Sequence, residues 1–163
     1  MRIYNLSKTA RDEIFLKLSS FGNVLIPKSK DLKVVEVDGQ SLEIIFDHDL
    51  RLYVGRKGEL IFPLLKDEIF LPKLPTATVD SGAVKFICNG ANVMRPVIVA
   101  FDGEFQKSDF VCVKEAKFGK AIAIGRAFGT REELEQLKRG PTIENVHYVG
   151  DRLWNALKEL LSS

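Results

Sequence analysis

The chain has 163 residues, room for one large domain or two small ones. Its 45% hydrophobic content supplies a packed core and excludes wholesale disorder. With 24 Lys+Arg against 22 Asp+Glu the net charge is +2, which excludes a histone-like polycation; nucleic-acid binding would need basic groups gathered on one face.

A first helix is expected after Ser7 or Thr9, either of which can cap it. Ile14, Phe15, Leu18 and Phe21 recur at helical spacing until Gly22 stops it. Residues 32–37 then alternate, Asp38-Gly39 is a hairpin turn, and Leu42, Ile44 and Phe46 share one face of the return strand. Leu50, Leu52 and Val54 alternate again, and Gly55-Arg56-Lys57-Gly58 turns the chain into Leu60-Ile61-Phe62. Pro63 can open a short helix running to Ile69. The clearest boundary is Leu71-Pro72-Lys73-Leu74-Pro75, where two prolines disfavour both helix and central strand. It divides the chain into domains 1–74 and 75–163, the first a small α+β unit.

The second part has shorter elements and more glycine. Strands are expected at 76–79, 91–94, 97–101, 110–113, 121–124 and 145–148. Asp80 caps a brief helix ending near Asn89-Gly90, and Thr130-Arg131-Glu132-Glu133 is a capping box for one reaching Gly140-Pro141. Asp151 caps a last helix with an apolar stripe of Leu153, Trp154, Leu157, Leu160 and Leu161. Short strands with inserted helices predict a small, partly open barrel, α+β overall.

Residues with catalytic potential are few. Asp47-His48-Asp49 is the densest metal-ligand candidate, but strand neighbours point to opposite faces, so it reads as a polar link between strands. His147, between Val146 and Tyr148, reads as a structural or RNA-contacting histidine. Cys88 and Cys112 form no Cys-x-x-Cys unit, read as small core residues, and fit a reducing compartment. Gly119-Lys120 lacks the glycine spacing and the following Ser/Thr of a phosphate loop, and no nucleophile-elbow or dinucleotide motif is present. The sequence therefore points to no catalytic residue, metal or cofactor. The N-terminus lacks a signal-peptide core, and no apolar run approaches the ~20 residues that span a bilayer, so the expected location is the cytoplasm, away from membranes.

The basic residues fall into two kinds. Lys114, Lys117 and Lys120 flank a strand turn and read as a solvated face, as do Lys28, Lys30 and Lys33. Lys85 and Arg95 differ because they bracket Asn89-Gly90-Ala91, where bare backbone can approach a phosphate or base closely.

The segments 79–86 (VDSGAVKF) and 89–96 (NGANVMRP) resemble the opening of a PUA domain, the RNA-binding module named for pseudouridine synthases and archaeosine transglycosylases. Residues 121–125 (AIAIG) and 143–154 (IENVHYVGDRLW) sharpen the likeness, and the latter string is similar to the malignant T-cell-amplified sequence family, which includes the N-terminal part of ligatin. The resemblance rests on motifs from Pro75 onward and on layout for residues 1–74, and the compact form looks archaeal. It implies a pre-PUA domain followed by a PUA domain, a pseudo-barrel with inserted helices. It further implies a non-enzymatic protein of the translation apparatus, contacting ribosomal RNA or tRNA in initiation, reinitiation or recycling. A partner with an initiation-factor-like domain would bind through the pre-PUA domain. Two alternatives stand beside this: an RNA-targeting subunit for a tRNA- or rRNA-modifying enzyme, and a protein-interaction module without RNA affinity. The RNA surface implied by the family comprises Lys85, Asn89, Gly90, Ala91, Asn92 and Arg95, with His147 and Tyr148 nearby. Many members carry glycine after the proline of this segment. Here it is Val97, whose β-branched side chain would narrow the groove.

Overall fold

The computed structural model describes residues 2–21, 29, 31–39 and 41–162; Gly22, Lys28 and Lys30 lie outside the described residues. The contacts gather into two units, Met1–Lys73 with Asn155–Ser163, and Leu74–Trp154. The break after Lys73 falls within the proline-rich segment. Residues Asn155–Ser163, the tail of the last helix, group with the first unit.

The first unit is an antiparallel meander, β1 (Ile3–Asn5), β2 (Lys33–Asp38), β3 (Leu42–Asp47), β4 (Leu52–Lys57) and β5 (Leu60–Pro63), paired in sequence order, with helix α1 (Lys8–Leu18). Ser7 is the cap: its hydroxyl oxygen accepts the Ala10 N–H at 3.2 Å, satisfying one of the free donors of the first turn. Ile14 and Leu18 of α1 share a core with Val34, Ile45, Leu52 and Val54. Leu42, Ile44 and Phe46 lie on the other face of β3 and are buried as well, so this strand is covered on both sides and its outward–inward alternation carries no polarity signal. The second face is tight: a Cβ on Gly55, opposite Ile44 in the register, would stand 2.7 Å from the Phe62 ring.

No helix begins at Pro63. That residue closes β5, paired with Val54, and the chain continues through turns to a 3-10 turn at Leu71–Lys73. The organiser is the buried Asp67 carboxylate, which accepts the N–H groups of Tyr53 (3.0 Å), Phe70 (2.6 Å) and Leu71 (3.1 Å). A side chain supplies the acceptors that a helix would have taken from its own backbone.

The second unit is a six-stranded sheet of β6 (Thr76–Val79), β7 (Val93–Met94), β8 (Ile98–Asp102), β9 (Phe110–Glu115), β10 (Ala121–Ala127) and β11 (Pro141–Tyr148). Its spatial order is β7-β11-β10-β9-β6-β8, antiparallel except for β6 beside β9. Ala77, Val79, Val111, Val113, Ala123 and Ile143 fill its core. A 3-10 turn at Ser81–Ala83 leads into the short helix α2 (Val84–Ile87), with Asp80 accepting the Gly82 N–H. The strand expected at 91–94 is only two residues long, whereas β10 and β11 run further than their apolar cores suggested.

Helix α3 (Arg131–Gln136) has the full Thr130–Glu133 capping box but ends well before Gly140. Only Leu134 in it is buried and residues 135–139 are all exposed, so no apolar contact holds a further turn. A register shift at Ile124/Gly125 lets β10 bend. Helix α4 (Arg152–Ser162) buries Leu153, Ala156, Leu157 and Leu160.

Candidate nucleic-acid interface

Helix α2 is only one turn long, so its exit is built from turn hydrogen bonds. The Gly90 N–H donates to the Ile87 carbonyl (3.0 Å) and the Ala91 N–H to that of Phe86 (3.1 Å). Gly90 has φ of 97°, in the region that an L side chain avoids. The loop is fastened to β11 by Asn145. Its side-chain amide donates to the carbonyl oxygens of Ile87 and Ala91, both at 2.9 Å, while its own N–H donates to the side-chain oxygen of Asn92 at 3.0 Å. Tyr148 lies beside the turn, its phenolic oxygen 3.5 Å from where a Cβ on Gly90 would sit.

This bracing leaves Lys85 exposed, and likewise the run Asn89, Gly90, Ala91 and Asn92. The Lys85 ammonium lies 5.1 Å from the centroid of the exposed Phe86 ring and makes no ion pair among the described residues. The result is an exposed cation beside an exposed aromatic ring, with bare backbone on a pinned loop.

The other expected residues divide. Arg95 is half-buried; one nitrogen of its guanidinium donates to the Ile98 carbonyl (3.2 Å) and the group lies 5.7 Å from the Phe101 ring centroid. Its charge is thus partly engaged in holding its own turn. Val97 packs its side chain against the core cluster. Tyr148 is half-buried and packs against that same cluster.

Of the two readings of His147, the structure favours the structural one over the RNA contact. Its side chain is 0% exposed, and Nδ1 lies 2.9 Å from the Asp151 carboxylate. An enclosed ring offers no surface to RNA, and the pair joins β11 to the start of α4. Burial alone would raise the Asp151 pKa, but the hydrogen bond and charge of His147, with the N–H groups of Trp154 and Tyr148, hold it below the usual value.

The remaining reactive candidates have structural partners. Burial pushes the Cys112 thiol up to about 11, and that of Cys88 is raised for the same reason, so neither thiol forms a ready nucleophile near neutrality. Asp47 accepts the N–H groups of Asp49 and Leu50 and pairs with the Ser29 hydroxyl, and His48 Nδ1 lies 2.8 Å from the Tyr53 hydroxyl. Among the described residues, no His, Cys, Asp and Glu group gathers for a metal ion, and no helix is long and apolar enough to cross a membrane.

Two residues of the site escaped the sequence reading. Asn145 carries the loop, and the available signal was an asparagine, poorly suited to strands, inside a strand pattern. Phe86 is 60% exposed, because α2 is too short to bury more than Ile87.

A strand, a one-turn helix and a glycine loop that open a sheet closed by a long final strand define a PUA domain, and residues 75–149 match the PUA domain model. Over nearly its whole length the chain is similar to the uncharacterized protein MJ1432 of Methanocaldococcus jannaschii, at 35% identity covering 88% of this chain and 81% of that one. Translation machinery-associated protein 20 of Schizosaccharomyces pombe is 32% identical (83% and 77% covered), and malignant T-cell-amplified sequence 1 of Danio rerio 30% (86% and 80%). The crystal structure of hypothetical protein PH0734.1 from Pyrococcus horikoshii superposes with a TM-score of 0.76 at 34% identity, covering 95% of this chain and 99% of that one. The chain belongs to the family of translation machinery-associated protein 20 and the malignant T-cell-amplified sequence proteins.

Proposed function

We propose that this chain is a non-enzymatic RNA-binding protein of the translation apparatus, and that the loop from Lys85 to Asn92 is where ribosomal RNA or tRNA is held. The observation that carries this reading is the pinned, exposed glycine loop beside an exposed lysine that makes no ion pair among the described residues. The Lys85 ammonium neutralises a phosphate, and Gly90 admits the RNA backbone where a Cβ would stand in the way. Asn89 and the exposed peptide groups of residues 89–92 supply donors and acceptors to the edge of an unpaired base. Because Asn145 has already fixed these groups, little conformational freedom is lost on binding.

Arg95 contributes with the donors its turn leaves over. The first unit recruits a protein partner bearing an initiation-factor-like domain; Leu16 on α1, 75% exposed, is a fitting apolar contact for it.

The test is equilibrium binding of the purified chain to small ribosomal subunits and to free tRNA at several salt concentrations. Salt-sensitive binding to one of them supports the proposal and identifies the RNA. Absence of binding to both, with the chain folded, rejects it.

A further inference from the structure

The hairpin joining β9 to β10 carries Phe118 at its tip, 70% exposed. A single exposed aromatic is ordinary on a protein surface. This one sits on an unusually organised support. The buried Glu115 side chain turns inward and accepts the N–H groups of Lys117 (2.8 Å), Phe118 (2.9 Å) and Lys120 (3.1 Å), and the Ser81 hydroxyl at 3.4 Å. The Gly119 N–H donates to the Glu115 carbonyl at 3.0 Å, and the Ala116 N–H to that of Val79 at 2.9 Å.

The charge pattern points outward with one sign. Glu115 is the only acid between Lys114 and Ala121, and its carboxylate serves the backbone. Lys117 and Lys120 place their ammonium groups 5.1 and 5.9 Å from the Phe118 ring centroid. Neither they nor Lys114 form an ion pair among the described residues. Gly119 beside the ring faces open space.

We infer that this hairpin is a second RNA contact, in which the Phe118 ring stacks on an unpaired base while Lys117 and Lys120 hold its flanking phosphates. It rests on the reading of the chain as an RNA-binding protein, and adds a contact away from the Gly90 loop. A flat apolar face between cations matches the two components of a single strand: a π-face and a phosphodiester backbone. A duplex keeps its base faces stacked internally and offers the ring nothing, so the hairpin favours single-stranded segments. The Ser81–Glu115 hydrogen bond ties the hairpin to the turn that leads into Lys85.

The test compares the wild-type chain with Phe118→Ala, Phe118→Trp and Lys85→Ala, each titrated with a single-stranded oligoadenylate and with a hairpin-duplex RNA of equal length. Phe118→Ala is expected to weaken single-strand binding by about 5- to 100-fold and to leave duplex binding unchanged. Phe118→Trp is expected to restore affinity, and its fluorescence to be quenched on binding beyond the signal of Trp154 in the wild type. Unchanged single-strand affinity in Phe118→Ala overturns the inference, as does an equal loss on both RNAs. Loss in Lys85→Ala without loss in Phe118→Ala sinks the hairpin contact alone. Loss in Phe118→Ala without loss in Lys85→Ala sinks the Gly90-loop site alone. A wild-type chain that binds anionic lipid vesicles but neither RNA overturns both.

Discussion

The Asn145 side chain donates to the Ala91 carbonyl at 2.9 Å, bridging the middle of β11 and the far side of the glycine turn. Its second amide hydrogen goes to Ile87, so the entry and exit of the turn hang from one side chain. Asn145→Ala leaves two carbonyls without this donor and is expected to cost about 1–3 kcal/mol. Asn145→Asp is expected to cost more, since it sets a negative charge against the same two oxygens. Urea unfolding of the two variants checks the order, and amide exchange at Gly90 and Ala91 is expected to quicken in both.

Gly125 tests the bend in the sheet. A Cβ there would lie 2.3 Å from the Ile143 side chain and 2.5 Å from the Glu144 carbonyl oxygen, and the second neighbour is backbone that cannot swing aside. Gly125→Ala is expected to destabilise at or above the upper end of the ~1–3 kcal/mol found for overpacking. A thermal unfolding midpoint equal to that of the wild type would contradict the tight β10–β11 approach.

Asp151 governs an acid limb of stability. Its folded-state pKa is lowered, so its contribution is present above the unfolded carboxylate value and is lost as pH falls through the folded one. Asp151→Asn is therefore expected to be less stable than the wild type near neutrality, with the gap closing below about pH 4. A gap that stays constant with pH would show that the His147 pair carries no ionic component.

Asp67 runs in the opposite direction. Burial raises its pKa, and the N–H groups of Tyr53, Phe70 and Leu71 offset this only in part. The raised folded-state value means its contribution to stability is full below the unfolded value and declines as pH rises through the folded one. Asp67→Asn cannot accept at both oxygens and is expected to lose about 1–3 kcal/mol by leaving at least one N–H unpaired. Denaturant titrations at several pH values check both the size and the slope.

The sequence made some features plain for local reasons. Thr130 and Glu133 specify their capping box within four residues, without reference to anything distant. The helix expected at Pro63 failed because Asp67, a charged residue that reads as solvent-facing, is buried as an acceptor for three N–H groups. For His147 the sequence left the structural and RNA-contacting readings open, because its partner Asp151 lies beyond the strand end and the alternation of β11 does not reveal that the ring is enclosed. Lys114, Lys117 and Lys120 read as a solvated face, and nothing in their spacing shows that the Glu115 carboxylate among them shapes the turn. In each case the missing information was which buried polar group satisfies which backbone donor, a property of the packed chain that no spacing encodes. Lys85 and Gly90 stand out in the sequence because cation and glycine lie within one short segment, and the structure leaves both exposed.

The central claim is that Lys85 contacts a phosphate at the Gly90 loop. The decisive measurement is the slope of log affinity against log salt for Lys85→Ala and the wild-type chain on the RNA that the wild type prefers. Loss of one phosphate contact is expected to weaken binding at low salt and to make the slope shallower by about 0.7–0.9. Equal affinity and equal slope in the two proteins would contradict the account.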